Sequence, residues 1–309
     1  MKYALVDLGS NTVRLTLYNV HTGGSFESLF SEKRMAGLVS YVKDGCLSYE
    51  GILVACDVIQ EFQALLRQFG VDKMYVFATA SLRNIDNTDE AVAGILKRTG
   101  LHVDVISGEE EAELSYYGSL KSCPITSGAI FDIGGGSTEI IEVNDGVFHC
   151  AGSFSIGSLN LFNQYVTKIW PKQSEIINIQ TKIMRVFEKV PFQDKRFKNV
   201  CGVGGTARAV MKIANRYFEK PSGNKLITTK ELEAISSVLL ARERTARDLI
   251  LKACPDRIHT ILPGILLMGM VCQFLGSKNI YVSQFGVREG YLCRKLIISG
   301  NSVIPKTVS

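Results

Sequence analysis

The chain has few of the residues that build metal clusters, disulfide frameworks or membrane spans. Its four histidines stand far apart and form no ligand pair, so we expect no zinc site. Its eight cysteines include no C-x-x-C pair and mostly have apolar neighbours, which favours buried free thiols in a cytoplasmic protein. The most apolar stretch, Ile261 to Leu275, contains Pro263 and is too short to cross a bilayer. We therefore expect a buried helix there and no association with a membrane.

The excess of positive charge is also small. A net charge of +5 suits a polyanionic ligand, whereas nucleic-acid binding usually requires a denser basic stripe, so we expect no nucleic-acid partner. Asp7 and Gly9 interrupt the first apolar run after a few residues, which is unlike a signal peptide. At 309 residues, with 46% hydrophobic and 21% charged residues, the chain is long enough for two globular domains.

Two stretches of the sequence match without a gap at an offset of 125 positions. The first runs from Ala4 to Leu15 and the second from Ala129 to Ile140. Each has an apolar run, an aspartate, a small-residue turn and a second apolar run, which predicts a β-hairpin with a carboxylate at the end of its first strand. In such turns main-chain N–H groups can approach an anion with no side chain in the way. The repeat therefore predicts two loops that hold a phosphate chain from both sides.

The turns and their flanking residues supply a candidate site. Asp7, Asp132 and Glu139 are candidate oxygen ligands for Mg²⁺, with Mn²⁺ as an alternative, because Mg²⁺ takes one or two carboxylates beside phosphate. Glu139 could instead be an outward-facing strand residue, and Arg83, in a polar loop after a predicted strand, could be a surface arginine. The candidate phosphate-binding residues are Gly9, Ser10, Asn11, Thr12, Arg14, Arg83, Gly134, Gly135, Gly136, Ser137 and Thr138.

An acidic run at the start of a predicted helix offers a group that could deprotonate water for attack on a phosphoanhydride. Its members are Glu109, Glu110, Glu111 and Glu113. Ser107 and Glu110 also fit a capping box, and the helix dipole stabilises acidic side chains in a first turn by about 0.3–1 kcal/mol each. The pattern alone does not choose among the remaining three glutamates.

Both halves of the chain open with hairpin structure and then add strand–helix units, which is typical of α/β layers. In the second half, a strand at 199–203 leads into a glycine turn at 204–206 that opens a helix. We predict an α/β fold of two ribonuclease-H-like domains with an active-site cleft between them. The predicted domains are 1–121 and 122–309, and the last helix could pack back on the first domain.

These motifs resemble the exopolyphosphatase and guanosine-pentaphosphate phosphohydrolase family, within the superfamily of actin-like, sugar-kinase and heat-shock-chaperone ATPases. The resemblance spans nearly the whole chain. It implies a two-lobed, Mg²⁺-dependent hydrolase that removes terminal orthophosphate from inorganic polyphosphate or the 5′-terminal phosphate from guanosine pentaphosphate. Its motifs run from Asp7 to Leu15, Ala78 to Arg83, Ile106 to Ala112, Asp132 to Glu139, Gly202 to Thr206 and Val282 to Gly290.

The resemblance also implies roles for particular residues. Glu111, directly before the alanine of Glu-Glu-Ala, matches the catalytic glutamate that activates water. Asp132 and Glu139 match metal-linked carboxylates, and Arg83 matches an arginine that contacts phosphate. Where the family usually has an arginine in Gly-Ala-Val-Arg-Leu, this chain has Asn160. The missing cation favours cleavage of short polyphosphates over processive handling of long ones.

Other functions stay open at this stage. A small-molecule kinase of the same superfamily would place ATP across the cleft, but the glutamate run and the lack of a recognisable sugar-binding insert count against it. A non-catalytic sensor of polyphosphate or nucleotide would keep the phosphate loops and lack turnover. We also allow for a homodimer.

Overall fold

A computed structural model of the protein describes residues 1–71, 73–123, 125–188, 190 and 195–297. It contains two compact units. The first consists of Met1–Glu111 with the segment that begins at Tyr291, and the second consists of Ala112–Gly290. The chain passes from the first unit to the second inside a helix. The domain boundary between residues 121 and 122 stays a prediction.

The first unit is built on a five-stranded sheet with the order β3-β2-β1-β6-β7. Strands β1 to β3 form an antiparallel meander, and β6 and β7 continue the sheet in parallel with β1. A separate ribbon pairs β4 with β5, which the sequence pattern does not predict. The strands are β1 (Lys2–Leu8), β2 (Thr12–Val20), β3 (Phe26–Met35), β4 (Val42–Lys43), β5 (Cys46–Leu47), β6 (Met74–Ala78) and β7 (Val103–Val105).

Helices pack on this sheet and enclose the first core. The longest, α1, begins where the Ser48 hydroxyl accepts a hydrogen bond from the Gly51 N–H, an arrangement that satisfies one free donor of the first turn. Its buried side chains, such as Ile59 and Phe62, each contribute about 1.5–3 kcal/mol through burial. These helices are α1 (Tyr49–Gln68), α2 (Ala80–Arg83) and α3 (Thr88–Thr99), and a short 3₁₀ helix spans Leu38–Tyr41. The next helix, α4 (Gly108–Ser119), begins in the first unit and continues into the second.

The second unit is built on a six-stranded sheet with the order β10-β9-β8-β11-β13-β12. Strands β8 to β10 again form an antiparallel meander, β11 and β13 lie parallel to β8, and β12 adds an antiparallel edge. The strands are β8 (Gly128–Ile133), β9 (Thr138–Asn144), β10 (Val147–Phe154), β11 (Asn199–Val203), β12 (Leu226–Thr228) and β13 (Asn279–Val282).

The helices of the second unit surround a large apolar core. The buried helix expected over residues 261–275 is confirmed as α10, most of whose side chains are buried. No helix in the described ranges has both the length and the hydrophobicity needed to cross a membrane. The helices are α5 (Ser158–Tyr165), α6 (Gln173–Phe187), α7 (Gly204–Tyr217), α8 (Thr229–Leu240), α9 (Arg244–Ala253), α10 (Ile261–Phe274) and α11 (Val287–Tyr291), with a 3₁₀ turn at Pro255–Arg257.

The two sheets share one topology. In each, three antiparallel strands are followed by two parallel strands, and the strand that carries the repeated aspartate lies inside the sheet. This shared order is what a duplicated ribonuclease-H-like fold requires, and both predicted hairpins are confirmed. The sequence pattern also predicts a terminal helix over 287–298, but α11 ends at Tyr291 and a π-helical segment, Leu292–Ile297, follows it. Residue 298 lies outside the described residues.

Candidate active site

The two repeated hairpin turns have the same backbone hydrogen bond. In the first, the Gly9 N–H donates to the Thr12 carbonyl at 3.2 Å, and in the second the Gly134 N–H donates to the Ser137 carbonyl at 3.0 Å. The offset of 125 positions seen in the sequence therefore holds residue by residue in the backbone. Because both turns close in the same way, the aspartate two residues before each glycine has the same place relative to its loop.

The first turn of α5 holds the carbonyl groups of the second loop, residues 134–136. The N–H groups of Ser158 and Leu159 each donate to a loop carbonyl at 3.0 Å. The side-chain amide of Asn160 donates to the Gly136 carbonyl, also at 3.0 Å. Gly157 makes this approach possible, because a Cβ there would overlap the loop backbone. The carbonyl groups of the loop are thus bound within the protein.

The first loop is held in a similar way. The carbonyls of Ser10 and Asn11 accept hydrogen bonds from the N–H groups of Val39 and Gly37, each at 2.9 Å. Within the described part of the chain, the backbone N–H groups of residues 10, 11, 135 and 136 donate no hydrogen bond to a protein group. An anion is attracted to such N–H groups and repelled by carbonyl oxygens, so loops whose carbonyls are already bound suit phosphate.

Asp132 is a buried carboxylate at the end of β8. The Ser115 hydroxyl donates to its Oδ2 at 2.7 Å, and a Cβ on Gly204, whose φ is +86°, would overlap its Oδ1. Burial raises the pKa of Asp132, while the Ser115 hydrogen bond and the positive charges of Arg208 and Arg288 oppose that rise. A buried carboxylate with a raised pKa is the kind of group that a bound cation would stabilise in its ionised form.

Glu139 lies directly opposite Asp132 on β9, so the two carboxylates share one face of the sheet. It is 1% exposed, and the Ser153 hydroxyl donates to its Oε1 at 2.9 Å. The alternative that Glu139 is an outward-facing strand residue is therefore wrong. Over the described residues, no group of three or more Asp, Glu, His or Cys side chains could hold a metal ion. Two carboxylates still fit Mg²⁺, which takes its other ligands from phosphate and water.

The first hairpin has a mixed pair at the equivalent positions. Asp7 lies opposite Arg14, whose Nη1 is 3.4 Å from the Ser31 hydroxyl. Where the second hairpin has two carboxylates, the first thus has a carboxylate and a guanidinium. The Arg14 guanidinium can offset phosphate charge, and the Asp7 carboxylate stays a candidate metal ligand.

Arg83 and Glu111 are brought together in the first unit. Arg83 ends the short helix α2, so its predicted place in a polar loop is wrong. Its Nη1 lies 2.6 Å from Glu111 Oε2 and 3.3 Å from the Ile106 carbonyl. The side chains are 18% and 9% exposed, so the alternative of a surface arginine is also wrong. The contact fixes one carboxylate oxygen of Glu111 against a planar guanidinium.

The other glutamates of the acidic run have different surroundings. Glu109 is exposed on the first turn of α4. The cap at Ser107 is confirmed, since its hydroxyl accepts the Glu110 N–H at 3.1 Å. The Glu110 carboxylate, which the capping-box pattern assigns to the helix end, binds Lys295 Nζ at 2.6 Å. Among Glu109, Glu110 and Glu111, only Glu111 is buried.

Three arginines near the start of α7 are functional candidates that sequence reasoning missed. The Arg257 guanidinium lies where a Cβ on Gly205 would be, so only glycine allows this approach. Burial, and then the neighbouring charge of Arg288, lower the pKa of Arg208 to about 10, and burial also lowers the pKa of Arg257. Arg288 falls within one of the recognised motifs, whereas nothing in the local pattern marks the other two. The carboxylates of Asp132 and Glu289 act on Arg208, and that of Asp256 acts on Arg257, so part of this positive charge is balanced within the protein.

The hydroxyls of Thr12, Ser137 and Thr138 in the two loops are buried or contact other protein groups. Thr138 is fully buried, and its hydroxyl donates to the Ile156 carbonyl at 2.6 Å. Thr12 Oγ1 lies 3.4 Å from Met35 Sδ. Ser137 is 3% exposed. Thr138 therefore anchors its loop, and direct phosphate contacts from these hydroxyls stay a prediction.

Comparison with other proteins identifies relatives along most of the chain. Exopolyphosphatase 1 of Mycobacterium tuberculosis is 22% identical over 312 residues, covering 96% of this chain and 88% of the relative. A putative exopolyphosphatase of Haemophilus influenzae is 24% identical over 293 residues, covering 94% and 90%. The Ppx/GppA phosphatase family matches residues 18–297.

Solved structures resemble the fold over nearly its whole length. An exopolyphosphatase from Cytophaga hutchinsonii superposes with a TM-score of 0.84 at 22% identity, covering 97% of this chain and 98% of that one. The Ppx/GppA family member of Aquifex aeolicus gives 0.79 at 23% identity, covering 98% and 99%. The predicted α/β fold class is thus confirmed. By the family match over most of its length, the chain belongs to the Ppx/GppA phosphatase family of enzymes.

Proposed function

We propose that the protein is a Mg²⁺-dependent exopolyphosphatase that releases orthophosphate from the ends of inorganic polyphosphate. The observation that carries this proposal is the pair of hairpin loops with one backbone design, each following an aspartate. The names of the relatives, which include exopolyphosphatases, support the choice of substrate. The cytoplasmic location and a homodimer remain predictions.

In the proposed reaction Glu111 is the general base. Its carboxylate accepts a proton from a water molecule, whose oxygen forms a bond to the terminal phosphorus. The bond from that phosphorus to the bridging oxygen breaks, and the shortened chain leaves with the electron pair. The products are orthophosphate and a polyphosphate that is one phosphate shorter. Arg83 uses Nη1 to hold Glu111, and a guanidinium is a group that binds phosphate oxygens well.

Other residues bind the polyanion and balance its charge. The N–H groups of residues 10, 11, 135 and 136 would hold phosphate oxygens. Asp132 and Glu139 would hold Mg²⁺, because two buried carboxylates on one strand pair suit this ion. When bound, Mg²⁺ supplies positive charge that neutralises the reacting phosphates.

The position of Asn160 favours short substrates. Its side chain donates to the Gly136 carbonyl and braces the second loop, at the place where the family usually has a cation. A polyanion gains affinity from each cation along its path. We therefore expect better turnover of short polyphosphates than of long ones.

A second candidate substrate is guanosine pentaphosphate, with the same chemistry at its 5′-terminal phosphate. The two arginines beside the glycine turn at 204–206, Arg208 and Arg257, favour a ligand with phosphates at more than one place. Since both substrates end in a phosphoanhydride, Glu111 would have the same role.

A phosphate-release assay tests the proposal. Purified protein would be incubated with MgCl₂ and tripolyphosphate, long-chain polyphosphate or guanosine pentaphosphate, with MnCl₂ and metal-free arms. We expect Mg²⁺-dependent release from tripolyphosphate at a kcat/KM above that for the long chain. Release from guanosine pentaphosphate alone would select the second candidate. Binding without release from any of the three would favour a sensor, and ATP-dependent phosphorylation of a sugar or acid would favour a kinase.

A further inference from the structure

The residues that follow Gly290 bring two side chains to the start of α4. Tyr291 ends α11, and Lys295 lies in the π-helical segment that follows it. Both belong to the same compact unit as the first turn of α4, which carries Glu111. Single-turn π-helical segments occur often at functional sites. The contacts of these two side chains show what this segment does.

Lys295 joins a strand to the helix that follows it. Its Nζ lies 2.6 Å from Asp104 Oδ2 on β7 and 2.6 Å from Glu110 Oε1 in the first turn of α4. One ammonium group therefore neutralises two carboxylates on either side of the turn at 106–108. Although burial lowers it, the hydrogen bonds to these carboxylates raise the pKa of Lys295, so the side chain stays charged.

Tyr291 fixes the position of this lysine. Its hydroxyl donates to the same Asp104 oxygen at 2.9 Å, and Lys295 Nζ lies 5.1 Å from the centre of its ring. The ring stacks on Phe77 of β6, with centroids 4.7 Å apart and an interplanar angle of 14°. Tyr291 is 5% exposed and Phe77 is fully buried. Lys295 is thus anchored to the core of the first unit.

A second cation holds the other side of the same turn. Arg83 binds the Ile106 carbonyl and Glu111, while Lys295 binds Asp104 and Glu110. Consecutive glutamates of α4 are therefore each paired with a cation from a different element. We propose that Lys295 and Tyr291 are positioning residues that fix the first turn of α4, so that the Glu111 carboxylate keeps its place against Arg83.

This inference rests on the proposed function of Glu111, and its physical basis is charge balance. Without Lys295, Asp104 and Glu110 would repel each other across the turn at 106–108. The first turn of α4 would then move, and small displacements of a reacting group have large effects on rate. Neither Lys295 nor Tyr291 has to touch the substrate for this to occur.

The test compares Lys295→Met with a matched control, Lys220→Met. Lys220 Nζ lies 2.6 Å from Glu231 Oε1 in the second unit. The side chains of this pair are 25% and 22% exposed, and those of Lys295 and Glu110 are 30% and 34% exposed, so the two ion pairs are similarly buried. Both variants should lose similar thermal stability. We expect kcat on tripolyphosphate to fall about tenfold in Lys295→Met with little change in KM, and to stay near wild type in Lys220→Met. Lys295→Arg should restore most of the loss.

Hydrogen–deuterium exchange supplies a readout that does not depend on activity. The Glu111 N–H donates to the Ser107 carbonyl at 2.9 Å, so its exchange reports opening of the first turn of α4. It should exchange faster in Lys295→Met than in Lys220→Met. Equal exchange in the two variants overturns the inference, and faster exchange with unchanged kcat reduces Lys295 to a structural role. If the wild type releases no phosphate, the proposed function fails, and the exchange still decides whether Lys295 fixes this turn.

Discussion

Arg83 Nη1 lies 2.6 Å from Glu111 Oε2, although the two residues are 28 positions apart and belong to different helices. Both side chains are largely buried. A guanidinium has five N–H donors in a fixed plane, so it can orient the carboxylate and still bind a phosphate oxygen. In the proposed reaction Glu111 is therefore the base, and Arg83, which orients it, is part of the phosphate site.

The first prediction concerns the guanidinium. Arg83→Met should lower kcat/KM on tripolyphosphate by roughly 10²–10³-fold, because it removes both the orientation of Glu111 and a positive charge at the reacting phosphate. Arg83→Lys should recover only part of the loss, since an ammonium group cannot make two parallel contacts. Steady-state kinetics on purified variants would measure both effects.

A surface arginine of the same unit gives the control. Arg34 pairs with Glu61 at 3.0 Å and with Glu32 at 3.4 Å, and its side chain is 41% exposed. Arg34→Met removes a paired guanidinium without touching the candidate site and should keep kcat/KM near wild type. A similar loss in both variants would mean that Arg83 acts only through stability.

The second prediction concerns the base. Glu111→Gln keeps the shape of the side chain and removes its ability to take a proton, so kcat should fall by about 10²–10⁴-fold. Binding of tripolyphosphate, measured by calorimetry, should survive. Glu109→Gln removes an exposed carboxylate from the same helical turn and should leave kcat unchanged. Full turnover by Glu111→Gln would end its assignment as the base.

Local sequence patterns predicted the parts of the structure that depend on neighbours along the chain. Both hairpins follow from an alternation of apolar residues around a small-residue turn, and the offset of 125 positions places Asp132 opposite Glu139 as it places Asp7 opposite Arg14. The helix cap at Ser107 follows from a pattern of four residues.

Contacts between distant segments could not be predicted in this way. Burial of Glu139 depends on packing around its sheet, and the hydrogen bond from Ser115 to Asp132 depends on where α4 crosses β8. Without the family resemblance, the acidic run would not have singled out Glu111, because its distinction is a contact with Arg83 from another helix. The arginines near α7 were missed for the same reason.

The third prediction concerns the pH dependence of stability in metal-free protein. Burial raises the pKa of Asp132 above its ordinary value of 3.8, so the folded state binds this proton more tightly than the unfolded chain does. The resulting stabilisation is complete below the unfolded pKa and is lost as the pH rises through the folded pKa. Asp132→Asn does not titrate. The melting temperature of the wild type, relative to this variant, should therefore increase as the pH is lowered from about 7 to about 4.

Ser115→Ala extends this test. The Ser115 hydroxyl stabilises the ionised form of Asp132, so its removal should raise the pKa of Asp132 further and move the transition to higher pH. The same variant should need more Mg²⁺ for half-maximal activity, because a proton competes with the ion. A difference between wild type and Asp132→Asn that stays constant with pH would show that Asp132 has an ordinary pKa.

The last prediction concerns a close backbone contact within the second unit. A Cβ on Gly290 in α11 would overlap the Leu114 carbonyl of α4, and one on Gly118 would overlap the Gly286 carbonyl. Because the obstruction is backbone, Gly290→Ala must separate two helices and should lower the free energy of unfolding by about 1–3 kcal/mol. Gly269 in α10 has open space around its Cβ position. Gly269→Ala should raise stability by about 0.4–1 kcal/mol, since alanine loses less backbone freedom on folding. Denaturant titration would measure the free energy of unfolding of both variants. If steric overlap is the cause, this free energy should fall in Gly290→Ala and rise in Gly269→Ala. If alanine is generally unfavourable at helical glycines, it should fall in both variants.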